Sequence, residues 1–259
     1  MAETNPKGEK PLLSWSVETL RITTFMRTTV EIPPKELWKM ITGDEPEQVI
    51  EQPRTGETRL EGSFENGRLL LITTPEVVEW RLVPVVQDDS VENEIPTIGG
   101  FLENLTAFQD LGRKWLSSNY YSEASRLAFG LVLLNPVDSL SDGYSLMSNY
   151  LHDVKINTNN ISDFFYQINR QRVSKVNNIQ LNRLSKWTVV ALRNLNFILT
   201  NLTNPNIVRE DVVGHAFRLE LDINTVPDKN VLLNHSNLNS IFDELVDLAK
   251  EIAEKGDIS

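Results

Sequence analysis

The chain has 259 residues, a formal net charge of −11, 40% hydrophobic and 24% charged residues, and no cysteine. This is the composition of an ordinary globular protein, and it excludes a disulfide framework, a thiol nucleophile, iron–sulfur ligation and any cysteine-based zinc site. No apolar run nears the roughly 18 to 20 residues of a membrane-crossing helix. The start of the chain is polar, with Pro6 and Gly8 and no apolar signal core, so a cytoplasmic location is expected.

Residues 1–16 read as a flexible tail. Residues 20–32, LRITTFMRTTVEI, are rich in Thr, Ile, Val and Phe and predict a strand ended by Pro33-Pro34. Leu37, Met40 and Ile41 stand at helical spacing behind those prolines, predicting a short helix that Gly43 stops. Residues 44–65 hold seven carboxylates and two arginines and read as an acidic loop running into the next strand. Residues 58–64 and 68–74 flank Asn66-Gly67, the pair that favours a type I′ hairpin turn, and Pro75-Glu76 turns the chain into a third strand over 77–86. A second acidic loop, 87–100, leads to a helix carrying Phe101, Leu105, Phe108 and Trp115.

The order then repeats. Residues 125–137 contain RLAFGLVLLNPV, a buried strand ending at a proline; Asp138 or Ser139 can cap a helix with Leu140, Tyr144, Met147 and Leu151 on one face. Strands are predicted over 163–173, 179–192 and 215–226. Leu238, Ile241, Phe242, Leu245, Leu248, Ala249 and Ile252 then form an amphipathic helix whose other side carries Asp243, Glu244, Asp247, Glu251 and Glu254. Both halves read β-α-β-β-β-α. The expected fold is therefore α+β: two similar lobes, residues 17–121 and 122–259, with largely antiparallel sheet and helices packed on one side.

Chemistry-bearing motifs are scarce. His152, His215 and His235 have no metal-ligand spacing, no nucleophile elbow occurs, and Gly99-Gly100 lacks the Lys or Thr of a phosphate loop, so neither metal nor cofactor is expected. Glu220 and Asp222 alternate with Leu219, Leu221 and Ile223. That pattern writes a strand with one solvated face, whose carboxylates pair with arginines across the sheet. The alternative is a hydrolase using Glu220 and Asp222 as acid and base, with His215 beside them.

Charge is unevenly spread. Residues 1–121 hold 12 basic and 20 acidic side chains, whereas residues 164–209 hold seven basic residues and no acid. The basic stretch includes Arg170, Arg172, Arg183 and Lys186 with Trp187 beside them, and Arg218 follows on the last strand. Three readings compete: internal pairing with the acidic parts of the chain, a protein interface anchored by Arg and Trp, and nucleic-acid binding. A sequence pI of about 4.9 disfavours nucleic acid and anionic membranes. The expected contact residues are Arg170, Arg172, Arg183, Lys186, Trp187 and Arg218, with Glu220 and Asp222 as intramolecular partners or rim.

The phrases RLAFGLVLLNPV, FYQINRQR, LNRLSKW and FRLELDINT, followed by the last helix, resemble the pattern of sporadically distributed, uncharacterised bacterial proteins over residues 125–252. The resemblance brings no catalytic motif. It implies a prokaryotic accessory protein encoded beside its partners, in a mobile or antiviral gene cassette. The duplicated order is also similar, in topology only, to the saddle of the TATA-binding protein. That family's basic character is absent and its phenylalanine wedges have no placed counterpart, so DNA binding is not carried over. The leading expectation is a non-enzymatic protein-binding or scaffold subunit.

Overall fold

In the computed structural model, residues 14–28, 32–85, 95–118, 123–157, 161–201, 204–228 and 232–258 are described, with the backbone alone for 192–201, 204–211 and 213. β1 (Ser16–Met26) alternates between two environments, with Leu20, Ile22, Thr24 and Met26 buried on one face and Arg21 on the other. α1 (Pro34–Thr42) begins with proline in its first turn and ends at Gly43, whose φ of 90° and N–H to the Lys39 carbonyl form a left-handed cap. The expected acidic loop contains a strand. β2 (Gln48–Gln52) pairs antiparallel with β3 (Glu57–Phe64), so the first half has one strand more than its sequence pattern implies.

β3, β4 (Gly67–Thr74) and β5 (Val77–Pro84) form the predicted meander. The hairpin turn falls one residue earlier than the Asn-Gly signal: Phe64 faces Gly67, the turn residues are Glu65-Asn66, and Glu65 takes a φ of 48°. α2 (Phe101–Leu116) follows. The second half supplies β6 (Ala124–Val137), α3 (Leu140–Tyr150), β7 (Phe165–Val173), β8 (Gln180–Asn201), β9 (Asn204–Thr225) and α4 (Leu238–Lys255). Ser139 caps α3 by accepting the Asp142 N–H.

All strands join one nine-stranded antiparallel sheet, in the order β2-β3-β4-β5-β1-β6-β9-β8-β7. β1 and β6 are neighbours near its middle, so the expected boundary at 121–122 is crossed by continuous strand pairing. The four helices among the described residues cover one face. Trp115 of α2 donates to Thr24 of β1, Phe242 of α4 meets Phe129 of β6 edge-on, and Tyr150 of α3 packs on Trp187 and Phe217. The core lies between sheet and helices, with Trp38, Trp80, Trp115, Trp187, Phe108, Phe129, Phe217 and Phe242 fully buried. Trp15, which composition assigns to the tail, is also buried, and its indole donates to the Ala253 carbonyl of α4. No helix among the described residues is long and apolar enough to cross a membrane.

Candidate interaction surfaces

The pleat sorts the predicted contact residues between two faces. On β8, Leu181, Arg183, Ser185 and Trp187 turn to the helices while Asn182 and Lys186 turn away; on β7, Arg170 and Arg172 share the helix side. Arg170 is clamped there. Its guanidinium donates from two nitrogens to Asp257, at 2.6 and 2.8 Å, and the Tyr166 hydroxyl donates to the same carboxylate at 3.0 Å. Asp257 reaches this place because Gly256, at φ 88°, turns the chain out of α4 so closely that a Cβ would lie 2.2 Å from the Tyr150 oxygen. The Asp257 N–H then donates to that same Tyr150 carbonyl.

Electrostatics follow this geometry. The Arg170 hydrogen bonds hold the Asp257 carboxyl below the usual range despite its burial, and Asp257 in turn raises Arg170. Burial first, then the hydrogen bond to Asp257, pushes the Tyr166 phenol upward. Arg183 is 6% exposed; its Nε donates to the Arg170 carbonyl, and burial together with Arg172 and Arg170 lowers its pKa. Arg172 lies 4.0 Å from Glu251. Glu251 is held low by the Lys255 hydrogen bond first, with Arg172 and Arg183 adding to it. Trp187 is wholly buried and stacks on Phe217 at 5.8 Å and 21°. Arg170 and Arg172 thus hold the end of the terminal helix to the sheet, Arg183 braces Arg170 from behind, and Trp187 packs under α3.

The uncovered face carries a second set of charges. Arg21 of β1 pairs with Asp222 of β9 at 2.9 Å, lying across Gly130 of the strand between them. Asp222 accepts from Asn224, and Asn224 from Asn182. Arg218 bridges Glu18 and Glu220, each at 3.0 Å. Burial works against the Arg218 charge, but the two carboxylates outweigh it and the net shift is upward. Further along the sheet Arg81 pairs with Glu79, which also accepts from Thr23, and Arg68 joins Glu61 to Glu47. Lys186 stands opposite Glu220 on one side and Gln167 on the other. Replacing Arg218 by alanine leaves two carboxylates without their shared cation, and a loss of about 1 kcal/mol is expected in urea unfolding, since the pairs are only partly shielded from water.

His215 belongs to the opposite face from Glu220 and Asp222, because the ladder from 214 to 225 runs without a register shift. Four cavities of about 230 to 750 Å3 lie around the described residues, and none is lined by Glu220, Asp222 or His215. No cluster of His, Asp and Glu among the described residues gathers as metal ligands would.

One feature escaped the sequence pattern. β8 and β9 are each 22 residues long, against predicted strands over 179–192 and 215–226. β7 accompanies β8 only over residues 180–188, and β6 accompanies β9 only over 215–224. Beyond the Leu192–Gly214 pair the two strands continue together to Asn201–Asn204 as a two-stranded arm about 30 Å long. The signal was the alternating Leu195, Phe197 and Leu199, hidden by the asparagines around it. The described residues thus form a single-sheet α+β fold with one face that none of the described helices covers and a two-stranded arm. No family model, no curated protein and no solved structure matches the chain.

Proposed function

We propose that the chain is a non-enzymatic protein-binding or scaffold subunit that engages its partner with the β8–β9 arm and the adjoining open sheet face. The arm carries this reading. An isolated two-stranded ribbon is at best marginally stable in water and exposes unpaired main-chain groups along both edges, which is how a chain presents strands to another protein. The arginines that sequence composition offers as contact residues are engaged inside the molecule, which also weakens the case for nucleic acid, since binding of that kind rests on free cations neutralising phosphates. In this reading the two halves are similar lobes, with β1 and β6 as equivalent central strands. The chain is then a cytoplasmic accessory component of a larger prokaryotic assembly, its partner co-encoded, with antiviral defence as one setting.

The test removes the arm alone. Residues 194–211 are replaced by Asn-Gly, closing Arg193 onto Val212, their partner in the native ladder. The shortened protein is expected to keep its thermal midpoint within a few degrees, because every core residue among the described side chains lies outside the arm, and to lose the proteins that co-purify with the full chain from its native host. If the same proteins co-purify with both, the arm is not the contact element and the proposal fails.

A further inference from the structure

The two edges of the sheet are written differently. β2, at one edge, has five residues and lies among Glu45, Glu47, Glu51 and Glu57. Short length and charge are the ordinary devices that stop an edge from pairing with another chain. β7, at the other edge, has nine residues with no proline, glycine or bulge, and among the described residues it pairs on one side only. Its uncovered-face row is Phe165, Gln167, Asn169, Gln171 and Val173, all exposed and all uncharged. Phe165 is 66% and Val173 46% exposed, so the two ends of this strand account for two of the large apolar side chains left in water.

That row reads the same in both directions: apolar, amide, amide, amide, apolar. We infer that β7 is a homodimer interface, in which the β7 strands of two copies pair antiparallel about a two-fold axis at Asn169. In this register Phe165 faces Val173 of the second copy, Gln167 faces Gln171, and all nine residues are paired. Sliding by two residues sets Phe165 against Gln171 or into solvent and leaves residues unpaired. On the helix side the same register puts Tyr166 opposite Arg172, a cation beside an aromatic ring. The pairing contributes about eight to ten main-chain hydrogen bonds, the number found in an ordinary protein interface.

Charge favours this edge for a second copy of the same chain. Two molecules of net charge −11 repel, and the β2 edge would oppose carboxylates to carboxylates. β7 carries no acid, and its two cations are already matched within the chain, Arg170 by Asp257 and Arg172 by Glu251. The identical edges therefore meet with little net charge on either.

The experiment measures the mass of the full chain by light scattering and sedimentation from micromolar to hundreds of micromolar. Wild type is expected to approach twice the chain mass of 29.5 kDa. The double variant Gln167→Glu with Gln171→Glu sets like charges opposite each other twice, and its dimer dissociation constant should rise by about tenfold or more. Gln167→Glu with Gln171→Lys sets opposite charges in the same places and should restore the dimer. Both positions are exposed, and position 167 lies beside Lys186, so the thermal midpoint of the monomer serves as the folding control. A wild-type chain that stays monomeric overturns the inference, as does a dimer that responds to neither variant. So does a chain that pairs only with a foreign protein.

Discussion

Replacing Asp257 by asparagine is expected to destabilise the protein by about 2 to 4 kcal/mol, lowering the thermal midpoint by roughly 5 to 15 °C. The carboxylate is the shared acceptor of Arg170 and Tyr166, and its side chain is 5% exposed against 24% for Arg170. Removing its charge leaves Arg170 without its main counterion beside Arg183, whose own charge is already disfavoured by burial. The amide still fits the space, so the cost reports lost charge and not lost volume. The effect depends on pH in a defined direction. The folded-state pKa of Asp257 lies below its unfolded value of about 3.9, so the stabilisation is fully present above that pH and disappears as the pH falls through the folded value. Unfolding curves of wild type and D257N should therefore stand apart at neutral pH and converge in acid. Parallel curves down to the lowest pH would show that the carboxylate charge is not what holds this corner.

Replacing Trp187 by alanine is expected to cost about 3 to 5 kcal/mol, enough to unfold much of the population at moderate temperature. Trp187 belongs to an aromatic group in which it contacts Phe217 of β9 and Tyr150 of α3, while Trp15 from the start of the chain meets the last two. Its ring nitrogen is satisfied by Ser185, so nothing in its setting asks it to reach a partner. The cavity left by truncation would sit under α3, and relaxation is limited because that helix is tied to α4 through the Tyr150 carbonyl and Asp257. Differential scanning calorimetry and chemical unfolding check the size of the loss. If W187A instead left stability intact and removed a binding partner, the interface role read from the sequence would stand.

Trp187 and Arg170 show why the surface was harder to read than the frame. An Arg, a Trp and a Tyr on neighbouring strands have the composition of an interface, and also that of a sheet locked to a charged helix end. What separates the two is Asp257, nearly ninety residues away in the chain, delivered by the turn at Gly256. The paired arginines of the uncovered face were legible in outline, because Arg218, Glu220 and Asp222 alternate with buried leucines. Their partners were not, since Glu18 and Arg21 lie about two hundred residues away. β2 was hidden for another reason. An exposed edge strand buries almost nothing, so Gln48–Gln52 has none of the apolar alternation that marks a half-buried strand.

Local physics was enough for the parts that depend on near neighbours. Helix caps at Ser139 and Gly43, the apolar stripes of α2 and α4 and the meander of β3 to β5 all follow from spacing within a few residues, because capping and amphipathic burial act at that range, whereas β1 ends at Met26 and does not run on to the prolines at 33–34. Tertiary structure decided the rest: that all strands share one sheet, that Arg170, Arg172 and Arg183 turn inward while the uncovered face holds its own ion pairs, and that β8 and β9 outrun their neighbours as an arm. Each of these depends on which strand lies beside which and on the side of the pleat a residue occupies. A pairing between residues two hundred apart leaves no periodic trace in either segment alone.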